Sequence, residues 1–379
     1  MTIYLDNAAT TPLDPAVVEA MEPYLRDHFG NPSSTHSIGR TAKAALESAR
    51  KRVAGLLGAS THEIYFTSGG TEADNQFLMS AAHLPRIKHA ITCATEHHAV
   101  LHTLEFLRDS GLIELHLVHV NDTGEPDLDH LESLVKKYPE SLVSLMHGNN
   151  EIGNLIDLDT TGDLCKDHGA IFHSDTVQTV AHFPLDLSAL PVDAVAASAH
   201  KFHGPKGTGI LYVKQGNPIQ PLIHGGSQER SMRGGTENVA GIIGLSRALE
   251  IAVGHMEDDR KYILGLKQRL INKLTESVPG ISFNGLSATP DRSLYTVLNM
   301  TLPPSSRNDM LLFHLDLEGI CASGGSACNS GASTGSHVLS ALGMQDQAGT
   351  VRLSFSKFNN EKEIDKVADV ISEFCKVDA

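Results

Sequence analysis

The 379-residue chain has no tryptophan, only 5% aromatic residues and no basic excess: 30 Lys and Arg stand against 45 Asp and Glu, a net charge of −15. A surface of that sign is repelled by a phosphate backbone or an anionic lipid face, which excludes nucleic acid as a direct partner. No run of about eighteen or more apolar residues occurs, so no membrane partner is expected. The opening MTIYLDNAATTP has no basic stretch followed by an apolar one, and the expected location is cytoplasmic. Cysteine is sparse. Five residues, an odd count with no CxxC pair, exclude a disulfide framework or zinc knuckle and leave at least one thiol unpaired.

What is present is ordinary globular composition, 41% hydrophobic and 20% charged, with 33 glycines and 21 histidines. The length fits two domains, or one large α/β body with a smaller appendage. Between about residues 60 and 215, short apolar runs alternate with helical segments, the pattern of a parallel sheet covered by helices on both faces. The runs are 63–67, 89–93, 114–120, 142–146, 170–174, 193–198 and 209–213. Residues 238–275 read as one long helix. Beyond it, strand-like 295–302 and 351–356, helical 309–316 and a closing helix from 361 predict a small α+β domain.

Five strings carry chemistry. In SAHKFHGPKGTG (198–209), Lys201 follows a strand at the carboxyl edge of the sheet, where open α/β folds bind ligands and where a lysine can form a Schiff base with a carbonyl cofactor. Alone, the string reads equally as a surface loop. In SDTVQ (174–178), Asp175 at a strand end suits either a helix cap or the carboxylate that keeps a pyridine nitrogen protonated, with Gln178 one turn on. TSGGTEADN (67–75) opens a helix after two glycines, a phosphate site by its unpaired N–H groups or a plain capping pattern at Thr71. A second glycine-rich segment, 224–238, is a further source of phosphate donors. In TEHHAV, His97 suits stacking on a flat cofactor, while the i, i+4 pair His98 and His102 lacks a third metal ligand, so no metal is expected. Finally, ASGGSACNSGASTGS (322–336) cannot pack a core. It predicts a mobile surface loop with Cys328 exposed, either an incidental thiol or one that reacts and swings away; Cys93 and Cys165 read as buried and inert.

Together, in this order, DNAATTP, NPSSTHSIGR, TSGGTEADN, TEHHAV, HGNNEIG, SDTVQ, SAHKFHGPKGTG, RGGTENV and SGGSACNSG resemble the cysteine desulfurases of the NifS/IscS-like class, fold-type I pyridoxal-phosphate enzymes of the class V aminotransferase family. The resemblance runs from residue 4 to about 359, and the loop around Cys328 is similar to the long-loop group.

It implies an α/β fold with a mainly parallel seven-stranded sheet in a large cofactor-binding domain at 15–255. A small α+β domain would comprise 1–14 and 256–379 and carry the loop 322–336. It implies pyridoxal 5'-phosphate as cofactor, with Lys201 as Schiff-base lysine, Asp175 on the ring nitrogen and His97 on the ring face. Asn150 and Gln178 would lie near the phenolic oxygen; Gly70, Thr71, Ser198 and His200 would hold the phosphate. Thr236 would reach the same phosphate from a second subunit, so a homodimer is implied. Arg352 and Asn31 would face the substrate, L-cysteine. The implied reaction gives L-alanine and a persulfide on Cys328, which passes to an acceptor protein of iron-sulfur assembly or tRNA thiolation. An aminotransferase, a selenocysteine lyase and a silent scaffold homologue are the rival readings; Cys328 argues against the first two and the full residue set against the third.

Overall fold

The computed structural model describes residues 2–324, 335–344 and 347–376. In chain order the elements are β1 (Ile3–Tyr4), α1 (Pro15–Arg26), α2 (Ser37–Leu56), β2 (Ile64–Thr67), α3 (Gly70–Ala82), β3 (His89–Cys93), α4 (His98–Asp109), β4 (Glu114–Val118), α5 (Leu128–Lys137), β5 (Leu142–Ser144), α6 (Leu158–Asp167), β6 (Ile171–Asp175), β7 (Ala194–Ser198), β8 (Gly209–Val213) and α7 (Val239–Gly254). They continue with α8 (Met256–Ser277), β9 (Ser282–Phe283), β10 (Val297–Thr301), α9 (Leu311–Leu317), β11 (Ile320–Cys321), α10 (His337–Ala341), β12 (Thr350–Ser354) and α11 (Glu361–Lys376).

All seven apolar runs join one sheet, in the order β2-β8-β7-β6-β5-β3-β4. Its strands are parallel except β8, which pairs antiparallel with both β2 and β7. The reason is length: the connection from Ser198 to Gly209 is too short for a crossover helix, so the chain turns straight back. The strands are buried from end to end in β6, β7 and β8, as a sheet covered on both faces requires.

One face packs against α2, α5, α6 and α7 through residues such as Leu46, Val53, Leu131 and Leu245; the other packs α3 and α4 through Phe77, Leu78, Val100 and Leu104. Cys93 and Cys165 sit in the first of these cores, and burial pushes both thiols up to about 12, which makes them unreactive packing residues. A separate core joins the two ends of the chain: Ile3 and Leu5 pack with Ile263, Leu270, Leu298, Val351 and Ile371. Around it lie the antiparallel trio β12-β10-β9 and the parallel pair β1-β11.

The single helix expected over 238–275 is two helices. They meet at His255 and bend by 74°. Apolar spacing continues across the break and hides it. Gly254 weakens the end of α7, and Glu257, Asp258 and Asp259 provide the acidic first turn that suits a new helix start. No single described helix is long and apolar enough to cross a membrane.

Candidate active site

At the carboxyl ends of the parallel strands lies a cavity of about 320 Å³, large enough for a cofactor-sized molecule. Gly70, Thr71, His97, Asn150, Asp175, Gln178, Ser198, His200, Lys201 and Arg352 all line it. Two residues named from the sequence stand elsewhere: Asn31 is exposed, its Oδ1 accepting from the Ser33 N–H, and Thr236 is exposed on the glycine-rich segment. Cys328 lies outside the described residues. The flanks of its segment do reach the cavity: Ser323 exchanges two backbone hydrogen bonds with Arg352, and His337 is a lining residue.

Lys201 follows β7, and its Nζ donates to the carbonyls of Ala8 (2.6 Å) and Ala9 (3.0 Å). Those carbonyls come from the DNAATTP arm, which crosses the 198–204 segment and hydrogen-bonds its backbone through Thr11. Gln178 is tied to the same arm, donating to Ala8. His200 shares a hydrogen bond with Thr10, and burial, followed by the charge of Lys201, holds its ring neutral with a value of about 4.

Asp175 ends β6. Its Oδ1 accepts from the Val177 N–H at 2.8 Å, and burial raises the carboxyl to about 6. Deeper lie two further acids that the motifs did not single out. Asp74 on α3 and Glu96 before α4 are fully buried, and desolvation raises both well above the carboxylate range, with the charge of Asp175 adding to it. Asp74 stands 3.3 Å from His173, whose ring burial pushes down to about 3. Both partners are therefore neutral, and the contact is not an ion pair. Asp175 remains the carboxylate of the three that ionises most readily. TEADN reads as a helix start; only tertiary packing reveals that its Asp74 faces inward.

His97 is the N-cap of α4 and accepts from Ala99 N–H through Nδ1 (3.1 Å). That acceptor role, with burial and the nearby Lys201 holding the ring down to about 4, leaves Nε2 as its N–H side. His98 stacks on His102 with centroids 4.5 Å apart and meets His337 in a tilted contact at 4.3 Å. The helix α3 starts at Gly70 with no side-chain cap on its first turn, which leaves its N–H groups for an anion. A Cβ at Gly70 would sit 2.5 Å from Val177 Cγ2, so only glycine lets this helix end approach β6 so closely.

Arg352 on β12 is 1% exposed and is held by Asp6 Oδ1 (2.9 Å) and the Asn150 carbonyl (3.0 Å). Its Nε is buried without a protein partner among the described residues, so the guanidinium keeps donor capacity for a carboxylate. The glycine-rich segment is fixed separately. Glu229 takes both terminal nitrogens of buried Arg50 at 2.7 Å each, which secures a run of left-handed residues at Glu229, Arg230 and Ser231 just before Thr236.

The family described as aminotransferase class-V matches residues 3–367. The chain is 43% identical to the cysteine desulfurase IscS of Methanosarcina thermophila over 98% of this chain and 91% of that protein. The solved structure of a NifS-like protein superposes with a TM-score of 0.91 at 38% identity, covering 100% of both chains. That of SspA in complex with cysteine gives 0.81 at 32% identity, over 95% of this chain and 100% of that one.

Proposed function

The chain belongs to the class-V aminotransferase family, and we infer from that membership and the cavity that it is a cysteine desulfurase, taking sulfur from L-cysteine and releasing L-alanine. The observation that carries this reading is the convergence of Lys201, Asp175, His97 and Arg352 on one cavity at the sheet's carboxyl edge.

The residues present fit pyridoxal 5'-phosphate. An uncapped helix start beside a glycine with no room for a Cβ suits a phosphate, and a buried carboxylate raised to about 6 calls for a cationic partner such as a protonated ring nitrogen. Gly70, Thr71, Ser198 and His200 would hold the phosphate, Asp175 the ring nitrogen and His97 the ring face; Gln178 and Asn150 would serve the phenolic oxygen. When bound, the cofactor supplies the electron sink for the charge left on the substrate's α-carbon.

The chain's own groups do the rest. Arg352, oriented by Asp6 and the Asn150 carbonyl, binds the substrate carboxylate, with Asn31 assigned to the substrate side. Lys201 Nζ, positioned by the Ala8 and Ala9 carbonyls, would hold the cofactor at its carbonyl carbon and is the base placed to move the substrate's α-proton. His97, neutral at working pH, presents its Nε2–H to the site as a hydrogen-bond donor. Cys328 thiolate attacks the substrate sulfur: the carbon–sulfur bond breaks, a sulfur–sulfur bond forms, and the departing carbon takes up a proton on the way to alanine. The result is a persulfide on Cys328, held until an acceptor protein of iron-sulfur assembly or tRNA thiolation takes it in the cytoplasm.

The division into 15–255 and 1–14 with 256–379 belongs to this reading and rests on the separate cores. So does a homodimer, with Thr236 serving a second copy's phosphate; its support is exposed Val18, Leu25, Phe29 and Ile38 on the N-terminal helices and the arm between them. Lys201→Ala is expected to abolish alanine release. Cys328→Ser should bind cysteine yet release no alanine, and mass analysis of the wild type after one turnover should find one added sulfur on the Cys328 peptide. Unimpaired alanine release by Cys328→Ser, or sulfur on another cysteine, overturns the assignment.

A further inference from the structure

The opposite end of the sheet carries a second grouping of donor side chains. His89 opens β3, and Glu114 opens β4, the edge strand. The two are direct partners in the parallel ladder, and His116 follows two residues after Glu114, so all three project on one face. They stand at the amino ends of the strands, whereas the cavity is at the carboxyl ends.

The donor atoms already lie at metal-sharing distances. His89 Nδ1 is 3.1 Å from His116 Nε2 and 3.6 Å from Glu114 Oε2, and all three donor atoms lie within 4.8 Å of one another. With bonds of about 2.0–2.2 Å, two ligands of one tetrahedral zinc ion stand roughly 3.3–3.6 Å apart. The 3.1 and 3.6 Å separations span that edge, so the groups need only small rotations to share one centre.

Orientation is fixed from outside. Tyr138, just past α5, places its ring 4.2 Å from each of the two imidazoles and stacks on His116 at 15°. Lys137, whose ammonium lies over the Tyr138 ring, is the cation facing the group, and Glu114 is the anion that offsets it. Without an ion, the two ring nitrogens at 3.1 Å must share one proton; binding an ion requires only that this proton move to the other nitrogen of its ring.

We propose that His89, Glu114 and His116 bind a late first-row divalent cation, Zn2+ being the fit for two imidazoles and one carboxylate, with a fourth position open to solvent. Such an ion clamps the edge strand β4 to β3 at the end remote from the chemistry.

The test is equilibrium dialysis and calorimetry of untagged holoenzyme with Zn2+, in a Cys328→Ser background so that this thiol contributes no site. One equivalent is expected to bind in the micromolar range. His89→Ala and His116→Ala should each remove that equivalent, and the conservative Glu114→Gln should weaken it by about tenfold or more. The variants' far-ultraviolet dichroism and bound-cofactor absorbance should match the parent's, which separates loss of ligands from loss of fold. His102→Ala, which changes the other histidine cluster, should bind as the parent does. No stoichiometric uptake, uptake that survives His116→Ala and Glu114→Gln, or loss on His102→Ala alone, overturns the proposal.

Discussion

Gly70→Ala tests the proposed phosphate-binding role of the α3 start. The new Cβ would lie 2.5 Å from Val177 Cγ2, about 0.9 Å inside ordinary van der Waals contact, so something must yield. Val177 resists, because a β-branched side chain has few rotamers and its N–H is committed to Asp175 at 2.8 Å. Either Val177 leaves its preferred rotamer, at about 0.5–1.5 kcal/mol, or the start of α3 retreats, and overpacking of this kind costs about 1–3 kcal/mol in all. Retreat moves the uncapped N–H groups away from the anion. Since about 1.4 kcal/mol is tenfold in affinity, pyridoxal phosphate should bind apo Gly70→Ala roughly ten- to a hundredfold more weakly. The assay is titration of apo protein with the cofactor, beside a urea transition for stability. Val177→Ala in the same chain should restore much of both. A Gly70→Ala protein with wild-type affinity and wild-type midpoint refutes the close approach; loss of affinity that Val177→Ala does not relieve refutes Val177 as its cause.

The Arg50–Glu229 pair is 5% and 2% exposed, so Arg50→Met, which strands a buried carboxylate, should lower stability by about 3–5 kcal/mol in urea. Arg50→Met/Glu229→Met should cost less than the two single changes together, and strict additivity would show that the pair is not coupled. Asp175 gives a pH signature in the apo protein. Its folded value of about 6 lies above the ordinary 3.8, so between those values the native state holds the extra proton and stability falls as pH rises. The penalty is complete above about pH 7 and amounts to about 3 kcal/mol at most, so apo Asp175→Asn should be the more stable protein there and match wild type near pH 4. Parallel urea midpoints for the two across that range would mean that the carboxyl is not raised.

The seven strands were legible because each is a short apolar run bounded by turns, and burial on both faces left no polar alternation to confuse the pattern. Strand order was not legible, since pairing is set by packing between segments far apart in the chain. The break at His255 was hidden for the opposite reason: helical spacing continues through it, and only Gly254 and the acidic turn after it mark the end. Among the cavity-lining groups, residues inside glycine-rich or strand-end motifs could be named, because those motifs constrain backbone shape. The Ala8 and Ala9 carbonyls that position Lys201 could not, because a backbone acceptor has no side-chain signal. Asp74, Glu96 and His337 were missed because each looks like an ordinary polar residue until the fold buries it or brings it to the cavity.

The arm at residues 6–9 explains why so much of the chain must be in place before the cavity has its shape. Asp6 holds Arg352 across 346 positions of sequence, while Ala8 and Ala9 hold Lys201 across 193 and 192. Asn7 and Ala8 are bonded in turn to Ser354, on the same strand as Arg352. A lysine, an arginine and the strand between the two ends of the site therefore share one short segment as their common reference. Displacing that segment shifts Lys201 and Arg352 together, whereas a change within either wall shifts only one of them. Buried Arg352 and half-buried Lys201 both spend hydrogen bonds on the arm, which offsets the water each gives up. The motif at the head of the sequence thus acts through its backbone and one carboxylate, setting the distance between two side chains that it does not itself contain.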